Sequence, residues 1–187
     1  NKVNLHIHIK KNIPTQAGLG SASADAAGLI KILIRMKLIE PKENKFYSLI
    51  GSDVPVFLFN KNAIVSGVGD EVEEAIFPKY FFLLVKPNIS FSTKTMYEKI
   101  IIKSKNFKEN NFQDINDFEK IAIKESQEIK KILEYLSNTQ NSILSRMTGS
   151  GSCCFSTYKK LEYAEKAQKQ FNVNFPDLWT FVGNNNI

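Results

Sequence analysis

Val3, Leu5, Ile7 and Ile9 alternate with Asn4, His6, His8 and Lys10, the period-2 pattern of a half-buried strand. The alternation stops at residues 10–20, a polar stretch carrying Pro14, Gly18 and Gly20. From Ser21 to Lys37 the chain is rich in Ala, Leu and Ile, and Leu29, Ile32, Leu33 and Met36 recur at helical spacing. That spacing predicts a helix with these four side chains as its buried stripe. Ser21 and Ser23 supply a start, and Pro41 lies beyond the end. A short helix is expected over residues 42–50, then a turn at residues 51–55. Short strands at 56–59 and 63–66 are expected to form a hairpin around residues 60–62, followed by a second glycine-containing turn at Gly67-Val68-Gly69.

The second half opens with a continuous apolar run, residues 80–85, of the kind found in a buried strand. A domain boundary is placed just before it, near Pro78, so that residues 1–79 and 80–187 form two domains. Residues 93–102 are expected to be helical, 103–111 a flexible loop, and 117–126 and 127–137 two helices. Strands at 143–147 and 153–158 flank the glycine-containing Thr148-Gly149-Ser150-Gly151-Ser152. A helix at 161–171 and a strand at 179–182 complete the chain. Helices mixed with locally connected strands place it in the α+β class.

Composition narrows the setting. The chain has 187 residues, with 43% hydrophobic and 24% charged, a globular balance with enough chain to bury a core. No apolar run reaches the ~20 residues that span a bilayer, and residues 1–11 lack the apolar stretch of a signal peptide. The cysteines are the neighbours Cys153 and Cys154 alone, which form no disulfide framework and fit a reducing compartment. The expected address is the cytoplasm. The net charge of +6 rests on lysine, since arginine occurs only at Arg35 and Arg146. It is open to three readings: a lysine-biased composition, a nucleic-acid patch or an anionic small substrate. Because a strand pattern already occupies the first residues, the chain is expected to be part of a longer protein.

The strongest chemical feature is Pro14, Thr15, Gln16, Ala17, Gly18, Leu19, Gly20, Ser21, Ala22, Ser23 and Ala24, running directly into the first helix. Small residues let backbone approach a bulky anion, and Gly18 and Gly20 accept positive φ. A helix N-terminus offers unpaired N–H groups and the positive end of a dipole. Together these make a phosphate cradle, to which Ser21 and Ser23 add hydroxyl donors. The spacing matches neither G-x-x-x-x-G-K-[ST] nor G-x-G-x-x-G. A purely structural strand-to-helix turn is the alternative. His6 and His8 share a strand face, but no third histidine or acidic cluster supports a metal site there. Cys153 and Cys154 read as strand packing rather than redox chemistry.

Residues 14–27 resemble the second signature motif of the kinases named for galactose, homoserine, mevalonate and phosphomevalonate, the GHMP superfamily. Gly51-Ser52-Asp53-Val54-Pro55-Val56-Phe57 is similar to the G-A-D-V-P segment of one branch, and residues 146–155 to its third motif. Residues 86–93, Tyr97 and Asn116-Asp117 fall in the family's order. Where the family has G-G-G-S-S, this chain has Gly20-Ser21-Ala22-Ser23-Ala24, with extra Cβ atoms at Ser21 and Ala22.

The resemblance implies a two-domain α+β fold, an N-terminal ribosomal-protein-like domain and a C-terminal ferredoxin-like one. It implies transfer of the γ-phosphate of ATP, with Mg²⁺, to a small-molecule alcohol. In the branch matched here that is the 2-hydroxyl of a diphosphocytidyl methylerythritol, in the non-mevalonate isoprenoid pathway. Asp53 would receive or orient the hydroxyl proton, Gly149, Ser150 and Gly151 would line the site, and Tyr97 would offer an aromatic face to cytosine. The family's first motif, a lysine-bearing strand, would lie ahead of residue 1. The Mg²⁺ ligands stay unassigned, with Ser23 a candidate. From the residues alone, Asp53 reads equally as a turn former, residues 148–152 as a hairpin loop and Tyr97 as core. Homoserine or mevalonate kinase is the alternative within the superfamily, and a basic nucleic-acid-binding module the alternative outside it.

Overall fold

The computed structural model describes residues 4–100 and 116–185. Its backbone contacts divide the chain into two compact units, one made of Asn1–Thr15 and Gly20–Ile76, the other of Gln16–Leu19 and Phe77–Ile187. The expected loop at 103–111 lies outside the described residues.

In the first unit, α1 (Ser21–Arg35), α2 (Asn44–Ser48) and α3 (Val54–Phe59) surround a small core, beside the two-stranded sheet of β1 (Ala63–Ser66) and β2 (Glu71–Glu74). Ala27, Ile30, Tyr47 and Val54 are buried together, with Ala26, Ile34, Phe57 and Leu58 packed around them. The expected stripe of α1 is therefore corrected. Ile32 and Met36 are 53% and 56% exposed, and Leu29 and Leu33 are half-buried. The helix is apolar over more than one stripe, so periodicity alone does not select the buried one. Packing against α3 selects it, through Ala26, Ala27, Ile30 and Ile34.

Two further expectations fail here for identifiable reasons. Residues 56–59 are helical, not a strand. Val54, Phe57 and Leu58 fall at i, i+3 and i+4, Pro55 sits in the first turn where its missing N–H costs nothing, and Asn60 closes the helix in the left-handed region at φ 57°. Lys31 of α1 also donates to the carbonyl of Phe57 at 2.7 Å. Accordingly β1 pairs not with 56–59 but with β2, antiparallel, from Ala63↔Glu74 to Ser66↔Glu71. The alternating segment at residues 4–10 forms no strand, and Leu5, Ile7 and Ile9 stand half exposed. Alternation marks a capacity for pairing; a ladder needs a neighbour, and none of the described strands pairs with it.

The second unit is a four-stranded antiparallel sheet, ordered β4 (Leu144–Met147), β5 (Cys154–Tyr158), β3 (Phe81–Lys86), β6 (Trp179–Asn184). The apolar run at 80–85 becomes the interior strand β3, in register with β5 from Phe81↔Tyr158 to Val85↔Cys154. Leu83, Val85, Cys154 and Tyr158 join one core with three helices, α5 (Asp117–Glu125), α6 (Gln127–Ser137) and α7 (Leu161–Asn174). Helix α6 buries Ile129, Ile132, Leu133 and Leu136, a spacing of i, i+3, i+4 and i+7. Helix α7 approaches closely through Ala164 and Ala167 before Phe171 fills the core. The buried hydroxyl of Tyr158 is satisfied by Thr139 at 2.7 Å.

Three helices of the second unit begin at side-chain caps. Ser92 accepts from Thr95 N to open α4 (Thr93–Lys99), Asn116 from Phe118 N for α5, and Ser126 from Ile129 N for α6. Among the described residues no helix is long and apolar enough to cross a membrane.

Burial sets two expectations. Leu83→Ala, at 0% exposure, should lower the unfolding free energy by about 3 kcal/mol, whereas Ile76→Ala, at 98% exposure, should stay within about 0.5 kcal/mol. Equal effects in urea titrations would contradict the core assignment. Cys153 and Cys154 are both buried, and burial pushes the Cys153 thiol up to about 12 and that of Cys154 well above its ordinary value. Thiolate is the reactive form, so neither thiol should react with an aromatic disulfide reagent at pH 8 until the protein is unfolded. Rapid labelling of the native state would contradict this.

Candidate active site

Within the first unit, the start of α1 and the turn before α3 lie side by side. Gly20 caps α1 in the left-handed region, at φ 63° and ψ 20°, with no side-chain cap and no acidic residue in the first turn. The opening N–H groups of α1, at Ser21, Ala22 and Ser23, therefore keep their donor capacity, while Ala24 N already bonds Gly20 O at 2.9 Å. A Cβ at Gly20 would lie 2.8 Å from the Phe57 ring and 3.2 Å from Asp53 Oδ2, and one at Gly51 would lie 3.1 Å from Ser23 Oγ. Glycine at these places is what lets the helix end approach the Gly51–Asp53 turn. Gly69, at φ 89°, braces that turn from the other side, because a Cβ there would fall on the Ser52 carbonyl. Asp53 is exposed and does not cap its own helix, so its carboxylate is available to an incoming group. His6 and His8 are exposed on the unpaired segment. No group of three or more His, Cys, Asp or Glu side chains is placed to hold a metal among the described residues.

Within the second unit, Gln16–Leu19 is clasped by the loop between β4 and β5. Cys153 N donates to Ala17 O at 3.0 Å and Thr148 Oγ1 to the same oxygen at 3.2 Å. A Cβ on Gly18, at φ 70°, would strike the Thr148 carbonyl and come within 2.9 Å of the Gly151 backbone, and one on Gly149 would lie 3.0 Å from Gly18 O. Only glycines allow this backbone-to-backbone approach. Ala17 is buried, while Thr15 and Gln16 are exposed and Pro14 and Leu19 half-buried.

The loop is tied on a second side. Ser150 Oγ meets Thr93 Oγ1 at 3.0 Å, and Ser152 Oγ donates to Ile89 O at 2.5 Å. Lys86, buried at the end of β3, gives its ammonium to Pro87 O at 2.7 Å and Ile89 O at 2.6 Å. Burial lowers its pKa, and the electrostatic influence of Cys153 and Glu128 acts the other way. Tyr97, 62% exposed on α4, packs edge-on against Phe118 with ring centroids 4.9 Å apart. It borders an open cleft of about 550 Å³ that Asn116, Phe118, Thr148, Gly149 and Phe155 also line. Tyr97 is thus a half-free ring at a cleft edge rather than a core residue, and Gly149 shares its cleft.

The structure therefore gathers Gly20, Ser23 and Asp53 in one unit, and Ala17, Gly18, Gly149, Ser150, Gly151 and Tyr97 in the other. Sequence reasoning missed the roles of Lys86, Ser152, Asn116, Glu119 and Gly69. A lysine ending an apolar strand run was the one local signal for Lys86; the others act through contacts distant in sequence.

Comparison with known proteins shows the family. Residues 1–61 match the family described as GHMP kinases N terminal domain, and residues 102–177 match GHMP kinases C terminal. A 4-diphosphocytidyl-2-C-methyl-D-erythritol kinase of Ehrlichia canis is 32% identical over 95% of this chain and 69% of its own length. The enzyme of the same name from Anaplasma phagocytophilum is 33% identical over 95% of this chain and 65% of its own. The chain thus spans about two thirds of the length of these curated relatives. Among solved structures, a 4-(cytidine 5'-diphospho)-2C-methyl-D-erythritol kinase superposes with a TM-score of 0.77 at 22% identity, covering 92% of this chain and 68% of that one. A homoserine kinase from Cytophaga hutchinsonii superposes with 0.60 at 14% identity, covering 95% and 68%. These two likenesses concern the fold, and it is the sequence identity that separates the branches: the chain belongs to the GHMP kinases, in the family of the 4-diphosphocytidyl-2-C-methyl-D-erythritol kinases.

Proposed function

We propose that the protein transfers the γ-phosphoryl group of ATP to the 2-hydroxyl of 4-diphosphocytidyl-2-C-methyl-D-erythritol, a cytoplasmic step of isoprenoid synthesis. The observation that carries the reading is the uncapped, acid-free start of α1 at Gly20 beside the Asp53 carboxylate. Phosphoryl transfer asks little covalent chemistry of a protein and mostly needs positioning and charge neutralisation. The α1 N–H groups supply donors fixed in direction, and the side-chain-free approach at Gly20 leaves room for phosphate oxygens. As the new P–O bond forms, the acceptor hydroxyl loses its proton, and Asp53 is the group placed to receive or orient it. The bond from the γ-phosphorus to the bridging oxygen breaks, and ADP leaves.

Mg²⁺ takes oxygen ligands and keeps several waters and phosphate oxygens. The Ser23 hydroxyl and the Asp53 carboxylate are oxygens of that kind beside the start of α1, so the residues fit the ion. When bound it offsets charge on the transferring phosphoryl group. In the second unit, Gly149 and Ser150 present backbone to the substrate, with the buried Gly151 closing their turn, and the exposed face of Tyr97 suits a planar base such as cytosine.

Asp53→Asn keeps shape and removes the proton acceptor. The kcat should fall by about a hundredfold or more, with ATP affinity changed by less than about threefold. Turnover comparable to the wild type would remove Asp53 from the mechanism. Gly20→Val would crowd Phe57 and Asp53 and strain a positive-φ position. The rise in melting temperature that Mg²⁺-ATP gives the wild type should disappear in this variant, and an unchanged rise would make residues 14–24 a structural turn.

A further inference from the structure

Among the described residues strand β4 is an edge strand, paired with β5 alone. Its last residue, Met147, turns both backbone groups to the unpaired side. There the first turn of α5 stands in for a neighbouring strand. Glu119 Oε2 accepts from Met147 N at 2.7 Å, and Asn116 Nδ2 donates to Met147 O at 2.8 Å. The same Asn116 amide donates to Gly149 O, also at 2.8 Å. Its other atom, Oδ1, accepts from Phe118 N at 3.0 Å and so starts α5. The amide is thereby oriented without ambiguity: oxygen to the helix, nitrogen to the loop.

That orientation bears on the glycine loop. Gly149 and Gly151 both have positive φ, and a glycine-rich segment loses much conformational freedom when it is held in one form. In a trans peptide the C=O and the next N–H point in opposite directions. Fixing Gly149 O toward Asn116 therefore turns Ser150 N–H away from it. Among the described residues that N–H has no backbone acceptor, whereas Gly151 N is already bonded to Thr148 O at 2.9 Å. Ser150 N–H is thus a free donor whose direction is set by a side chain 34 positions upstream.

We infer that Asn116 is a positioning residue, which holds the Gly149–Gly151 loop of the second unit so that Ser150 N–H is aimed at a phosphate oxygen of the bound substrate. The inference rests on the proposed phosphoryl transfer. A donor fixed in advance stabilises developing charge at no cost of reorganisation. An Asn116 variant would leave the loop's composition intact and its direction free.

Two variants of the intact protein test this. Asn116→Ser keeps an oxygen that caps α5 and replaces the two amide N–H donors by one hydroxyl on a shorter side chain. Asn116→Asp keeps the cap and sets a carboxylate against two carbonyl oxygens. Both should melt within a few degrees of the wild type, at rates of amide exchange unchanged in α5. In both, exchange at the hydrogen-bonded amides of Thr148 and Gly151 should accelerate about tenfold or more, and kcat should fall toward a hundredfold, the scale expected of a small misplacement. The KM for ATP should move less than threefold, and the aspartate should be the worse of the two. Loop exchange and kcat both at wild-type values would reduce Asn116 to a helix cap and overturn the inference. So would a loss of kcat that merely follows the loss of folded protein. If the wild type phosphorylates no alcohol, the functional reading fails by itself, and the exchange measurement still decides whether Asn116 holds the loop.

Discussion

The carbonyl oxygen of Ala17 accepts two hydrogen bonds, from Cys153 N–H and from the Thr148 hydroxyl, and the arrangement of the second unit's glycine loop turns on that junction. Without it, Gln16–Leu19 would be a free polar connector. With it, four residues of the N-terminal stretch become part of the wall that residues 148–153 build. Gly18 and Gly149 are obligatory at this contact because any Cβ would meet backbone. A backbone carbonyl with two donors is held more firmly than one with a single partner, and each bond is worth about 1 kcal/mol. The larger effect is on direction rather than stability.

A comparable economy governs the first unit. Helix α1 packs on α3 through Ala27, Ile30 and Val54, and this places the start of one helix beside the residue that begins the other. Gly51 and Gly69 permit the turn between α2 and α3 to sit close to Ser23 and to the β1–β2 connection. Asp53 thus owes its place to three glycines and a small apolar core. The side chains doing chemistry in the proposed reaction are few, and most of the site is backbone held in a chosen orientation. Such a composition suits a reaction in which charge must be met by donors already in place.

Much of this was legible in the sequence. The helices expected at 117–126 and 127–137 are α5 and α6, within one residue at each end, and β3 follows the uninterrupted apolar run. The GHMP motifs are the part of the sequence from which the residues of the proposed site are read. What the chain did not disclose follows from physical causes. Residues 54–59 carry a short apolar run that suits strand or helix equally, and Pro55 with Asn60 decided for helix. Residues 4–10 alternate correctly for a strand, yet no described strand pairs with them. The stripe of α1 was ambiguous because the helix is apolar over more than one face. Asn116 holding Gly149, and Gly69 meeting Ser52, join positions far apart along the chain, where no local pattern signals the contact.

The central claim is that a nucleotide phosphate is delivered to one particular alcohol. It is tested most directly by ADP release from the intact protein with ATP and Mg²⁺, offered 4-diphosphocytidyl-2-C-methyl-D-erythritol, homoserine and mevalonate in parallel. Release is expected with the diphosphocytidyl alcohol and none above background with the other two. Release with homoserine or mevalonate instead, or with none of the three, would contradict it.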